Sequence, residues 1–348
     1  MKKCSLWCAF AALGLAGSLY AAAPSDELSA VMPLLQAKTR NAAQNQQVLD
    51  LFARSKKPAL TFAAGASLVR LPPHRVQEAK LLNLLIKDSD PLKKVFSAVV
   101  LTAMGTVHTE LSPLLQDATA SQDHAVRAYA ASAYTILNPQ TADYADEVIN
   151  LYIYDPAFAQ RAMNLISSGD KQTLKYLRAA ARNPDGQVRA AAAAWLGDLQ
   201  NKDAAKQLLK MAKTEQDSQA ETALASALAK NREWTMDDCL KGLKTATDKP
   251  AASTYALALG FMTGHAVEAL KQALSDKSAD VRANAARAAA YMAGVLSSPQ
   301  RTLYTSDPAF DSALLKTLIP HLTALEKTDT ATVKPYAANA LQQMAKLK

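Results

Sequence analysis

Five histidines and Cys239 are the residues of this sequence whose types could support metal or nucleophilic chemistry. The histidines are His74, His108, His124, His265 and His321. None lies in a His-Glu-x-x-His motif, none precedes a glutamate and none neighbours a cysteine pair, so their spacing does not predict a metal site. The sequence also lacks a Gly-rich phosphate loop and a Gly-x-Ser-x-Gly nucleophile turn. We therefore expect no catalytic residues, no metal and no cofactor.

Cys239 is the one cysteine beyond the N-terminal segment, because Cys4 and Cys8 lie within that segment. Asp237 and Asp238 directly precede Cys239, and neighbouring carboxylates disfavour a thiolate. The pattern predicts a packing residue and not a nucleophile. A single remaining thiol also predicts a chain without an internal disulfide.

Basic residues at helical spacing are a more distinctive chemical feature, and they form two stripes. The first stripe is Lys171, Lys175, Arg178 and Arg182, and the second is Lys202, Lys206, Lys210 and Lys213. Each stripe lies about a quarter-turn from the apolar face of its helix, so both stripes should be exposed. We expect them to form one patch that binds an anionic partner. An ordinary solvated helix face is the alternative, since lysine-rich faces are common.

The N-terminus has the pattern of a secretory signal peptide. Lys2 and Lys3 give a basic start, residues 6–17 are apolar, and small residues end at Ala23. We expect residues 1–23 to be removed on export to the periplasm or the secreted space, which would leave no transmembrane anchor. Loss of the two lysines would lower the formal net charge from +8 to +6. This mild excess, in an exported protein, argues against nucleic acid as a partner.

Val-Arg-Ala triplets followed by alanine-rich segments recur along the chain, starting at Val126, Val188 and Val281. The first two are 62 residues apart, twice a period of 31. A period of roughly 20–50 residues indicates one supersecondary unit repeated many times. The clearest unit predicts a helix over 171–182, a turn over 183–186 and a second helix over 187–199, with Trp195 on its buried stripe. We expect an all-α fold, an α-solenoid of about nine helical hairpins over residues 24–348.

The segment from Asp280 to Met292, in which Asp280-Val281-Arg282 opens an alanine-rich helix, resembles a HEAT repeat, in particular the short bacterial HEAT-like type named after phycobilisome lyases. The segments that start at Asp123 and Asp185 carry a related Asp-x-x-Val-Arg pattern. The resemblance covers residues 75–295 most clearly, with atypical repeats at both ends. It implies that aspartate and arginine form a ladder between repeats. This structural role would fall to Asp123, Arg127, Asp185, Arg189 and Arg282.

Two segments interrupt the repeat pattern, and both are rich in residues typical of turns. Residues 56–73 contain prolines and a glycine, and residues 297–311 contain Pro299, Tyr304 and Pro308. We expect loop insertions at both places, which either carry binding residues or are tolerated surface additions.

The sequence therefore predicts an exported, non-enzymatic scaffold that binds another protein, with an adaptor or assembly role in the cell envelope. Stacked repeats offer an extended surface that needs no deep pocket. We expect a monomer. One alternative is a module that uses the basic patch to bind anionic envelope material. The other is a HEAT-like lyase or another enzyme, which would require a chromophore or a metal.

Overall fold

The computed structural model describes residues 26–37, 39–72, 77–139, 142–167, 170–245, 249–299 and 301–347. Within these ranges the chain forms helices and no strand, which confirms the predicted all-α class. The predicted signal peptide and His74 lie outside the described residues. The chain divides into two compact units, residues 1–176 and 177–348. None of the helices in the described ranges combines the length and the hydropathy that crossing a bilayer would require.

The first unit contains one N-terminal helix followed by four helical hairpins. Its helices are α1 (Asp26–Leu35), α2 (Ala42–Arg54), α3 (Pro58–Arg70), α4 (Glu78–Lys87), α5 (Pro91–Ala103), α6 (Leu111–Ala118), α7 (His124–Leu137), α8 (Ala145–Leu151) and α9 (Pro156–Ile166). Within the hairpins, α2 packs on α3, α4 on α5, α6 on α7 and α8 on α9. The side chains of Asp90, Asp123 and Asp155 accept hydrogen bonds from first-turn N–H groups, which fixes where α5, α7 and α9 begin.

The second helices of these hairpins surround an aromatic cluster. Helices α3, α5, α7 and α9 pack in sequence, and α9 also contacts α3. The ring centroids of Phe62 and Phe96 are 5.0 Å apart, those of Phe96 and Tyr129 5.3 Å, and those of Tyr129 and Phe158 6.4 Å. Burial, reinforced by the charge of Asp155, raises the pKa of the Tyr129 hydroxyl well above its ordinary value. The core of the first unit is therefore held by aromatic contacts between successive hairpins.

The prediction of a loop over residues 56–73 is wrong for most of that segment, because α3 occupies residues 58–70. Pro58 is the first residue of this helix, a position where the missing N–H has no cost. Residues from Leu60 to Val69 are buried, and the Arg40 guanidinium donates to the carbonyl oxygens of Ser67 and Leu71, both at 2.7 Å. Residue 73 is outside the described residues. The first hairpin consequently begins at α2, and α1 is an additional helix.

The clearest predicted repeat has nearly the expected boundaries. Helix α10 (Asp170–Ala180) precedes the turn that ends at Asp185, and α11 (Gly186–Leu199) follows it. The Asp185 carboxylate accepts a hydrogen bond from the Gln187 N–H at 2.8 Å and caps α11. The boundary between the two units falls within α10, after Tyr176.

The second unit continues with four hairpins and one additional helix. Its helices after α11 are α12 (Lys202–Met211), α13 (Ser218–Lys230), α14 (Arg232–Thr245), α15 (Lys249–Phe261), α16 (Val267–Ala273), α17 (Ala279–Ser297), α18 (Pro308–Lys316), α19 (Ile319–Thr328) and α20 (Lys334–Met344). The second helices stack in the order α11, α13, α15, α17 and α20. Counted with the consecutive helices α10 and α11, the described residues contain nine helix pairs in chain order, the number that the repeat pattern predicts.

Small residues permit close approach between the stacked second helices. A Cβ atom on Gly197 of α11 would lie 2.8 Å from the Cβ of Ala227 on α13. A Cβ on Gly260 of α15 would lie 2.6 Å from the Cβ of Tyr291 on α17. Neither distance leaves space for an added methyl group, so the alanine and glycine content of these helices sets the spacing between repeats.

Most of the segment 297–311, where the sequence predicts a loop insertion, connects α17 to α18. After α17 ends at Ser297, a 3₁₀ turn spans Arg301–Leu303, and α18 begins at Pro308. The ring of Tyr304 packs on Phe261 of α15, with the centroids 4.7 Å apart. Helix α18 packs against α17 and the 3₁₀ turn Thr263–Ala266, so it lies outside the regular hairpins.

Candidate functional site

The second cationic stripe lies on the exposed side of α12. Asn201 caps this helix by accepting hydrogen bonds from the N–H groups of Asp203 and Ala204. The opposite side is buried, and its residues are Ala204, Ala205, Gln207, Leu208 and Met211. All four lysines of the stripe are exposed, as predicted. Lys213 lies in the turn beyond the helix, because α12 ends at Met211.

The first cationic stripe is also exposed in all four side chains. Lys171 and Lys175 lie on the part of α10 that belongs to the first unit, and Arg178 lies on the part that belongs to the second. Arg182 follows the end of the helix, in the turn before α11. The union of the two stripes into one patch remains a prediction.

Acidic neighbours neutralise little of the charge on the α12 stripe. Lys206 forms an ion pair with Asp203 one helical turn away, at 3.6 Å, and both side chains are 62% exposed. An exposed pair of this kind contributes at most about 1 kcal/mol. Within the described part of the chain, Lys202, Lys210 and Lys213 have no acidic partner. These three ammonium groups are therefore available to an anionic surface.

The arginines assigned to the repeat ladder do connect neighbouring hairpins. Arg127 of α7 donates to Glu147 of α8 at 2.6 Å. Arg189 of α11 donates through two nitrogens to Glu215, at 2.9 and 2.8 Å, in the turn between α12 and α13. Each arginine thus reaches an acidic residue of the next hairpin. Two-point contacts between a guanidinium and a carboxylate are directional and favour one relative position of the two hairpins.

Arg282 repeats this arrangement later in the chain, where it donates to both oxygens of Asp329 at 2.6 and 2.7 Å. In addition, each ladder arginine donates to the carbonyl six residues before it. The three acceptors are Ser121, Asn183 and Asp276. One guanidinium therefore holds its own turn and the following hairpin together.

The aspartates of the predicted ladder have a different role from the expected one. Asp123 and Asp185 cap the helices that carry Arg127 and Arg189. The carboxylates that bind the arginines across hairpins are instead Glu147, Glu215 and Asp329, which the sequence reasoning missed. Helix N-termini attract carboxylates through their free N–H groups, and this competes with pairing across repeats.

The missed acidic residues are electrostatically coupled to their arginines. Burial on its own would raise the pKa of Glu215, but hydrogen bonds from Arg189 and from the Asp217 N–H lower it overall. The hydrogen bond from Arg282 lowers the pKa of Asp329 to about 2. Both carboxylates are thus held in their charged form. Glu147 lies in the first helix of the following hairpin, and Glu215 and Asp329 lie in the turn directly after that helix.

The residues considered for catalysis are not brought together. The described residues contain no group of three or more His, Cys, Asp and Glu side chains that could hold a metal. His124 contacts the Arg127 guanidinium, with 2.8 Å between Nδ1 and the arginine nitrogen, and so belongs to the ladder. Cys239 is fully buried on α14, and burial raises the pKa of its thiol far above the ordinary value. This confirms its prediction as a packing residue.

Comparison with known proteins gives a family match over part of the chain. Residues 154–229 match the family model of HEAT repeats. Of the solved structures, the crystal structure of Kap121p bound to Pho4p is similar at 12% identity and a TM-score of 0.39, over 92% of this chain and 39% of that one. Kap121p bound to Ste12p is similar at 13% identity and a TM-score of 0.40, with the same coverage of both chains.

The chain spans about two fifths of the length of the solved structures it matches. A comparison with curated proteins finds no match. The finer resemblance to phycobilisome-lyase-type repeats remains a prediction.

Proposed function

With residues 154–229 identified as HEAT repeats, we propose that this chain is a non-enzymatic scaffold that binds another protein. Hairpins stacked through their second helices offer a preformed surface, so binding needs little ordering of the chain. We further propose that it acts after export, in an adaptor or assembly role in the cell envelope, as the N-terminal pattern suggests.

The observation that carries the proposal is the α12 stripe, Lys202, Lys206, Lys210 and Lys213. Its four ammonium groups are exposed on α12 and in the turn directly after it, and the other side of α12 is buried in the second unit. Only Lys206 has an acidic partner in the described part of the chain. A surface of one sign favours a partner of the opposite sign, mainly through faster association. We propose an acidic protein surface as that partner.

The proposal is tested by reversing Lys202, Lys210 and Lys213 to Glu, which leaves the ion pair of Lys206 with Asp203 in place. The matched control reverses three exposed lysines elsewhere in the second unit, Lys316, Lys327 and Lys334, so that both variants have the same net charge. Bait proteins are immobilised and incubated with envelope extract, and the captured proteins are quantified by mass spectrometry at several salt concentrations.

We expect the stripe variant to lose acidic partners that the wild type and the control retain, with binding that weakens as salt rises. Exposed charges are screened over about 8 Å at physiological ionic strength, which explains the expected salt dependence. Identical partners and identical salt tolerance for both variants would refute the stripe as a binding surface.

A second arm tests the alternative that the stripe binds anionic envelope material. Vesicles with anionic lipids are mixed with wild type and with the two variants. Stripe-dependent vesicle binding without a captured protein would replace the scaffold proposal by the surface-binding one. A chromophore or metal that copurifies with the protein in stoichiometric amount would instead favour the enzyme alternative.

A further inference from the structure

A cavity of about 450 Å³ lies in the second unit beside the connection between α17 and α18. Its walls come from the end of α17, the 3₁₀ turn Arg301–Leu303, the start of α18 and the residues after α20. Small-molecule sites usually have volumes of about 300–1,000 Å³, so this cavity is large enough to hold a short ligand. The interruption of the repeat pattern and the cavity therefore coincide.

Among the described residues, two cationic side chains line the cavity and no acidic side chain does. Arg301 and Lys346 are both exposed at its edge. Two aspartates follow Arg301 in the chain and have other contacts, since Asp307 accepts from the Phe310 N–H and Asp311 is packed against Gly264. In the described chain, the Arg301 guanidinium has no hydrogen-bond acceptor, and Lys346 donates to the amide oxygen of Gln343. The cavity consequently has a net positive lining.

The start of α18 adds a hydrogen-bond donor to this lining. Pro308 and Ala309 are the first two residues of the helix, and both line the cavity. Asp307 accepts from the N–H groups of Phe310 and Asp311, through its side chain and its carbonyl. The Ala309 N–H has no acceptor among the described residues. A free N–H at a helix start favours an anion.

The remaining lining combines apolar carbon with two hydroxyl groups. Leu296 and Leu347 are buried beneath the cavity, and Pro308 borders it. The hydroxyl groups of Ser297 and Ser312 donate to the carbonyl oxygens of Gly294 and Pro308. Their oxygens can therefore still accept a hydrogen bond. A ligand that uses all of these groups has an anionic end, an apolar portion and an N–H donor.

We propose that this cavity binds the C-terminal residue of a peptide chain that ends in an apolar side chain. The free carboxylate contacts Arg301, Lys346 and the Ala309 N–H, while the apolar side chain packs on the leucines. The N–H of the last peptide bond donates to a serine oxygen, which a fatty acid with the same carboxylate cannot do. This site is separate from the α12 stripe and would bind whether or not the stripe has a partner.

The test is calorimetric titration of the full chain with an N-acetylated tripeptide that ends in leucine. The same peptide with a C-terminal amide, decanoate and inorganic phosphate serve as comparison ligands. We expect the free carboxylate peptide to bind at least about tenfold more tightly than the amide, because hydrogen bonds to charged groups are stronger than neutral ones. Equal binding of peptide and amide, or no binding of either, would overturn the proposal.

Three variants locate the binding site. Arg301→Gln and Lys346→Gln should each weaken peptide binding about tenfold, and Ala309→Phe should abolish it by filling the cavity without a change of charge. Lys316→Gln is the control, since it removes one exposed charge from the other end of α18. If the control weakens binding as much as the site variants, or if decanoate or phosphate binds as tightly as the peptide, the assignment to a peptide C-terminus is wrong.

Discussion

Replacement of Trp195 by alanine should be among the most destabilising single changes in the second unit. Trp195 lies on α11, and only 1% of its surface is accessible to solvent. It is the largest fully buried side chain of the described residues. An aromatic side chain of this kind buries about 200 Å². At about 25 cal/mol per Å², transfer of that area from water contributes about 5 kcal/mol, of which alanine retains a part.

The geometry around Trp195 places the expected loss in the upper half of the observed range. Large-to-small changes at buried tryptophans cost about 3–5 kcal/mol, and the cost depends on how far the site can collapse. Gly197 and Ala227 already hold α11 and α13 at contact distance. Trp195 lies about 200° around α11 from Gly197, so a shift of α11 into the vacated space would open this contact. The site therefore collapses little, and we expect a loss of about 4–5 kcal/mol.

The assay is urea denaturation followed by far-UV circular dichroism. With an m value of about 3 kcal/mol/M, the loss should lower the midpoint by about 1.5 M. Trp234→Ala is the matched control, because Trp234 lies in the same unit but is 38% exposed. We expect the control to change the midpoint by less than a third as much. Equal shifts for the two variants would refute the assignment of Trp195 to the buried stripe of α11.

The remaining predictions concern the contacts between repeats and one strained residue. The pKa of Asp329 is lowered to about 2 by Arg282, so the stability of this pair is complete above about pH 4 and is lost as the pH falls towards 2. Asp329→Asn should therefore flatten the decline of Tm in that interval, and an unchanged decline would contradict the coupling. Gly197→Val should destabilise by about 2–3 kcal/mol in urea denaturation, since an added side chain meets Ala227 at 2.8 Å; a neutral effect would show that the helices separate freely. Gln200, directly after α11, has a φ of 44°, a backbone conformation that is strained for residues other than glycine. Gln200→Gly should therefore raise Tm through a gain of about 1 kcal/mol in the free energy of unfolding, and a lower Tm would refute this strain.

Sequence periodicity predicted the local structure well, because local structure depends on contacts within one hairpin. The turn before α11, the burial of Trp195 and the exposure of both cationic stripes follow from spacing along single helices. Such features depend on residues three to eleven positions apart in one helix. The helical period of 3.6 residues determines which of these residues lie on the same side of the helix.

The prediction of a loop where α3 lies was wrong because it relied on proline. Pro58 in Lys56-Lys57-Pro58 indicates a turn as readily as a helix start. Burial against α5 and α2 decides between the two, and that information is not in the segment itself.

By itself, the sequence determined the helical hairpins, their number and the faces they bury, since these follow from helical period and capping. Tertiary structure decided which carboxylate each arginine reaches. The separations are 20 residues for Glu147, 26 for Glu215 and 47 for Asp329, so no fixed spacing identifies them. It also decided that Arg301 and Lys346, 45 positions apart, line one cavity. Contacts between distant residues depend on how hairpins stack, and small residues such as Gly197 set that stacking through distances that no local pattern encodes.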